Sequence, residues 1–289
     1  MVLDQRDAIR GHAPVADIES SVQTVGQRRQ QAPVVRAEAS TRADKLRASV
    51  GEKAFVFQGS YEPIPGNASD VIKALMPLAK AGDADAALDI HMKISECRYA
   101  MSPSNSNRQL LEVYRKAGVD LEAMARAREK TLDECASLVT DGVDGAENEK
   151  WLELAAEKGS VYAKLLYATD PASTLGGEAE MMKDPEALIE YRRKAMTFLE
   201  QAADQGSIEA LVMLSSAYED GTLVKKDSRK AYAYYSAANS VYPNATAPAY
   251  LQRLRQQAIQ DGQGNVDGLV NSIRQRCCNV DLSIRRTAS

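Results

Sequence analysis

Six side chains in this 289-residue sequence have the chemistry for metal binding, redox reactions or nucleophilic catalysis: Cys97, Cys135, Cys277, Cys278, His12 and His91. Their spacing argues against most of those uses. No two cysteines form a Cys-x-x-Cys pair, and two histidines are too few to complete a tetrahedral zinc set. His91 falls within a helical pattern beside Ile90 and Ile94. It reads as a packed or surface histidine rather than a base. His12 lies in a stretch without periodicity, so a histidine-based triad lacks its parts. There is no Gly-x-Ser-x-Gly elbow and no phosphate-binding loop. Gly262-Gln-Gly264-Asn-Val-Asp-Gly268 has glycines near a dinucleotide spacing, but a helical pattern precedes it where a strand is needed. It reads as a turn between helices. Acidic pairs such as Asp83/Asp85 and Asp141/Asp144 read as solvated helix ends, the first where negative charge suits a helix start. The expectation is therefore a non-enzymatic chain with no cofactor and no metal.

Charge narrows the partners. The formal net charge is −4, with +1 over residues 1–66 and +3 over 251–289, which leaves −8 in between. An acidic middle argues against nucleic acid, whose phosphates require Lys and Arg. No apolar run approaches the roughly 20 residues that span a bilayer. The N-terminus shows no basic segment followed by an apolar core, although a leader upstream of Met1 stays open.

The elements that must position these residues come from a recurring phrase: two bulky residues, two others, two alanines, two others, then glycine. It reads Trp151-Leu152-Glu-Leu-Ala155-Ala156-Glu-Lys-Gly159 and Phe198-Leu199-Glu-Gln-Ala202-Ala203-Asp-Gln-Gly206. Weaker copies begin at Ala74, Val113 and Tyr234. The starts at 74, 113, 151, 198 and 234 are spaced by 39, 38, 47 and 36, the long interval containing an insertion at 170–184 read as a loop. The bulky pair packs a helix against its neighbour, and the alanines let two helices approach closely. Glycine stops the helix because it tolerates the left-handed conformation. One such hairpin cannot bury its apolar face, whereas stacked hairpins can. The predicted fold is all-α: a short right-handed α-solenoid of stacked helical hairpins over 67–262, a capping helix and tail over 263–289, and a largely disordered N-terminal arm over 1–66. Within that arm, 38–50 reads as a short polar helix and Phe55-Val-Phe57 as a brief strand. The alternative is an arm that docks through Phe55 and Phe57.

The third unit continues through Leu214, Tyr218, Gly221, Val224, Asp227, Lys230, Ala231, Tyr234 and Tyr235. In these residues the chain resembles the Sel-one-like repeat family, a branch of the tetratricopeptide-like helical repeats. The match is good over 198–238 and fair over 147–168. Ser215 stands where the family pattern has glycine in the first helix, and Leu223 replaces a loop glycine. The resemblance implies an adaptor or regulator of complexes, often bacterial, with no shared catalytic residues. A regulator or enzyme acting on the cell wall, or a structural component of a secretion or surface assembly, stays as the alternative. The expected partner is a protein or peptide on the concave face formed by the first helices. Tyr162, Glu209, Met213 and Ala217 are the first-helix positions not used for packing. Tyr234 and Tyr235 read as core, whereas Tyr232 and Tyr242 fall off that phase and could line an inner surface.

The cysteines can now be placed. Cys97 and Cys135 lie 38 residues apart, one repeat length, each near the polar end of a predicted helix. Residues of equal phase in adjacent hairpins can be neighbours, so a disulfide is sterically plausible. It would imply an oxidising compartment such as a bacterial periplasm, the alternative being two free thiols in a reducing cytosol. Cys277-Cys278, a vicinal pair in the last predicted helix, reads as one buried and one exposed thiol or as pairing with another chain, with a redox or metal role as the alternative.

Overall fold

The computed structural model describes residues 42–102, 108–140, 150–262 and 266–278. His12 and the Asp141/Asp144 pair lie outside them. The described chain forms two compact units, one from Gly59 to Lys158 and one joining Arg42–Gln58 to the residues from Gly159 onward. The fold is all-α, built of helical hairpins.

In the first unit, helix α1 (Ala68–Lys80) pairs with α2 (Ala84–Met101), and α3 (Arg108–Lys116) precedes α4 (Leu121–Thr140) and α5 (Trp151–Glu157). Helix α2 packs against α1, α4 and α5. Asp83 starts α2 as an N-cap, its carboxylate accepting from the Asp85 and Ala86 amides at 3.0 and 3.1 Å. Trp151, Leu152, Ala155 and Ala156 are all buried, as the phrase requires. The copy at 113 departs from it, because Val113 is 60% exposed. Residues 59–66, expected in the disordered arm, are anchored in this unit. Tyr61 is buried and its hydroxyl donates to Asp89 at 2.8 Å, while the Gly66 amide donates to Glu134 at 3.0 Å.

The second unit holds α6 (Val161–Thr169), α7 (Ala172–Leu175), α8 (Glu178–Lys183), α9 (Pro185–Asp204), α10 (Ile208–Asp220), α11 (Ser228–Val241), α12 (Pro248–Gln260) and α13 (Val266–Cys278). Helix α9 packs on α6 and α10, α10 on α11, and α11 on α12 and α13. The loop expected at 170–184 instead carries two short helices. Asp170 starts the first by accepting from the Ser173 amide at 3.1 Å, and glycines 176 and 177 part it from the second. Phe198, Leu199, Ala202 and Ala203 are buried on α9, and Tyr234, Tyr235, Ala237 and Ala238 on α11. Tyr232 and Tyr242 are half-buried against the same core. Gly262 follows α12 and Gly268 lies in the first turn of α13, so a helix and not a strand precedes the glycine-rich stretch.

The departure at Ser215 has a physical reason. Its side chain is fully buried, and its hydroxyl donates to the Ala231 carbonyl of α11 at 2.8 Å. A residue larger than glycine is tolerated at this helix crossing because its one polar atom is satisfied there. Replacing Ser215 by Ala is expected to cost about 1 kcal/mol, read from the urea midpoint with the helical signal as probe.

Residues 42–58 also differ from the expected tail. One 3-10 turn (Asp44–Leu46) leads into an antiparallel ribbon of β1 (Arg47–Ser49) and β2 (Phe55–Phe57), with Arg47 opposite Phe57 and Ser49 opposite Phe55. The polar helix expected over 38–50 is absent from its described part, 42–50. A two-stranded ribbon is marginal alone, so its support must come from tertiary contacts. Ala54, Phe55 and Val56 are buried in the core of the second unit.

Candidate functional site

The site is the face formed where α6 and α10 begin. Both helices start with the same device. Ser160 and Ser207 are N-caps whose hydroxyls accept from the Ala163 and Ala210 amides, each at 3.2 Å. Side-chain capping of this kind fixes where the first turn begins. Tyr162 and Glu209 therefore occupy equivalent positions in two repeats, each two residues past its cap.

Both of them hold the same residue. The Phe57 ring meets Tyr162 edge to face with centroids 5.2 Å apart, and its backbone amide donates to the Glu209 carboxylate at 2.6 Å. Glu209 also accepts from the Ser207 hydroxyl at 3.0 Å. Burial pushes the Glu209 carboxyl above its ordinary pKa, and the bonds from the Phe57 amide, its own amide and Ser207 offset part of that. Phe55 stacks edge to face on Phe57 at 5.4 Å, and the Arg47 guanidinium lies 4.4 Å above the Phe55 ring. Edge-to-face rings and a cation over a ring face both follow the aromatic quadrupole.

The backbone of β2 is held as well. The Phe55 amide donates to the Gly206 carbonyl at 2.9 Å, giving a parallel bridge between Phe55 and Ser207. Lys53 reaches the Arg276 carbonyl at 3.0 Å. Gly206 is the point of closest approach. A Cβ there would sit on the Lys53 carbonyl oxygen, well inside contact distance, and φ is +102°. Gly159, its counterpart in the preceding phrase, has φ +107° but no atom within 4 Å of an added Cβ. Alanine carries the left-handed penalty at either position, and only at 206 does it also collide with the ribbon. Gly206→Ala is expected to destabilise by about 2 kcal/mol more than Gly159→Ala. Calorimetry measures that difference, and hydrogen exchange at the Phe55 amide should accelerate only in the 206 variant.

The other two positions singled out from the sequence continue the same stripe of α10 at intervals of four. Met213 is half-buried against the core and Ala217 is buried. Of the four, Tyr162 and Glu209 are brought together and engaged by the chain's own β2, while Met213 and Ala217 serve the interior. Sequence reasoning missed Gly206 and Ser207 as members of this site, and it reached Phe57 only through the alternative of an arm docking by Phe55 and Phe57. The available signal was composition: two of the chain's three phenylalanines sit two residues apart in the lead segment.

The remaining reactive groups lie elsewhere. In the first unit, Cys97 of α2 and Cys135 of α4 have Cα atoms 5.5 Å apart, with their sulfurs paired. Lys93 of α2, fully buried, places its ammonium 2.9 Å from Glu96 and 2.7 Å from Glu134. Cys277 and Cys278 end α13, and both are buried with their sulfurs in contact, which corrects the expectation of one exposed thiol. His91 is half-buried on α2 and its ring lies 3.4 Å from the Ser95 hydroxyl. Among the described residues no group of three or more His, Cys, Asp or Glu is arranged to hold a metal ion, and no helix is long and apolar enough to cross a membrane.

Consecutive helical hairpins, with equivalent first-helix residues converging on one extended segment, define a tandem helical-repeat protein. The Sel1 repeat family model matches residues 149–160, 192–207 and 208–240 of the chain. Among solved structures the chain is similar to a protective antigen present in uropathogenic Escherichia coli strains, described as displaying an SLR fold. The identity is 16% and the TM-score 0.26, over 77% of this chain and 60% of that one. The chain thus spans about three-fifths of that protein's length. No curated protein matches the sequence.

Proposed function

We propose that the chain is a non-enzymatic protein-interaction scaffold of the Sel1-repeat type, whose first helices offer a concave face to a protein or peptide ligand. The observation that carries this reading is the convergence of Tyr162 and Glu209 on Phe57. Equivalent positions of successive repeats hold one extended polypeptide, by ring contact and by a backbone hydrogen bond. That is how a repeat surface can recognise a chain segment whatever its detailed sequence. The Sel1 matches, which place α9, α10 and α11 in the repeat pattern, support it. Crosslinking of the intact chain in extracts of its source, read by mass spectrometry, is expected to map partner contacts to α6 and α10. Turnover of a cell-wall substrate with no partner recovered would overturn the reading.

We further propose that the protein works in an oxidising compartment, the bacterial envelope and specifically the periplasm. What supports this is the sulfur pair of Cys97 and Cys135, two buried side chains on different helices. Thiol counting on the denatured chain without reductant tests it. Four reactive thiols would remove both the crosslink and the compartment.

A further inference from the structure

We propose that the α6–α10 face is a docking site for an extended partner segment carrying two aromatic residues two positions apart, and that the chain's own Phe55-Val56-Phe57 fills it as a displaceable internal ligand. This rests on the scaffold reading and names the partner's chemistry.

The argument begins with what the face recognises. Two of its contacts are to backbone: the Gly206 carbonyl takes the Phe55 amide, and the Glu209 carboxylate takes the Phe57 amide. Any strand in the right register provides those donors. The third contact, Phe57 against Tyr162, asks for an aromatic ring at the second of the two positions. Phe55, buried and seated between Phe57 and Arg47, asks for one at the first. The occupant defined by these contacts is an extended segment with aromatics at i and i+2, and Gly206 clears the approach of its backbone.

The seated segment is short. Its strand covers three residues, and Phe57 stays half-buried while the flanking residues 51–53 and 58–59 are exposed. Ala54, Phe55 and Val56 seat in the core of the unit, and their place on the same chain adds an effective concentration on the order of millimolar. A partner strand with the same aromatic pair can use the same Gly206 and Glu209 acceptors, and it exchanges for the internal one by refilling the core positions of Ala54, Phe55 and Val56. The face is then masked in the solitary chain and open once a matching segment arrives.

The test uses the full chain and a labelled peptide with the sequence of residues 44–58. In the variant Phe55→Ser/Phe57→Ser the internal segment loses its rings while the helical face is untouched. The peptide is expected to bind this variant about 100-fold more tightly than the intact chain, by fluorescence anisotropy. Binding should vanish for a peptide with both phenylalanines replaced by serine, and when Gly206→Ala is added to the opened chain. If the double variant does not fold, Phe57→Ser alone keeps Phe55 in place and should show the same order of affinities. Equal binding to intact and opened chains, or none to a folded opened chain, overturns the inference. So does sedimentation showing a dimer through exchanged ribbons, because the occupant would then be a second copy. Partner crosslinks that fall elsewhere while the peptide fails retain the scaffold reading and remove only this inference. Peptide binding with no partner found does the reverse.

Discussion

Replacing Cys97 and Cys135 together by serine is expected to cost the Gly59–Lys158 unit about 4 kcal/mol. The figure follows from the separation of 38 residues, because closing a loop of that length removes conformations from the unfolded chain and so raises its free energy. Both side chains are buried, so the two serine hydroxyls must satisfy each other on the folded side for the loop term alone to set the cost. The chain has a single tryptophan, Trp151, buried in the same unit. Urea unfolding followed by its fluorescence therefore reports on this unit. A shift below about 1 kcal/mol would mean that the loop is not closed in the protein.

Lys93→Met is expected to cost the same unit about 3 kcal/mol. The ammonium is taken wholly out of water and compensated by two carboxylates at 2.9 and 2.7 Å. Removing it leaves the Glu134 carboxylate, only 17% exposed, with the Gly66 amide at 3.0 Å and the half-exposed Lys130 ammonium at 3.9 Å as its remaining partners. A buried charge stripped of its partner is the costly case, whereas removing both charges is not. The double variant Lys93→Met/Glu134→Gln should recover most of the loss, because the glutamine oxygen can still accept from Gly66. Equal losses in the single and double variants, read again from Trp151, would show that packing of the lysine stem and not charge sets the cost.

The repeat was legible because helix geometry forces it into composition. A bulky pair, an alanine pair and a stop glycine at fixed offsets can only be satisfied by close-packed hairpins, and those positions are buried on α5, α9 and α11. The copy at 113 shows the limit: the pattern survives loosely while Val113 points outward. Of the ribbon only β2 was legible, as the brief strand Phe55-Val-Phe57, and β1 was not, for a different reason. Three-residue strands carry almost no periodicity, and the Ala, Arg and Lys content around 42–47 favours a helix in isolation. What decides the outcome is the Gly206 carbonyl and the Tyr162 ring, both more than 100 residues away, and a local reading has no access to them. Likewise Tyr162 and Glu209 could be picked as first-helix positions, but nothing in their surroundings announced that β2 would reach them.

The acidic residues beside the cysteines have a consequence for how the crosslink comes about. Glu96 directly precedes Cys97 and Glu134 directly precedes Cys135, and one ammonium, that of Lys93, touches both glutamates. Four thiols permit three ways of forming two bonds. The Lys93–Glu134 pair ties α2 to α4 at the offset where these two sulfurs face each other, which favours this pairing over the other two.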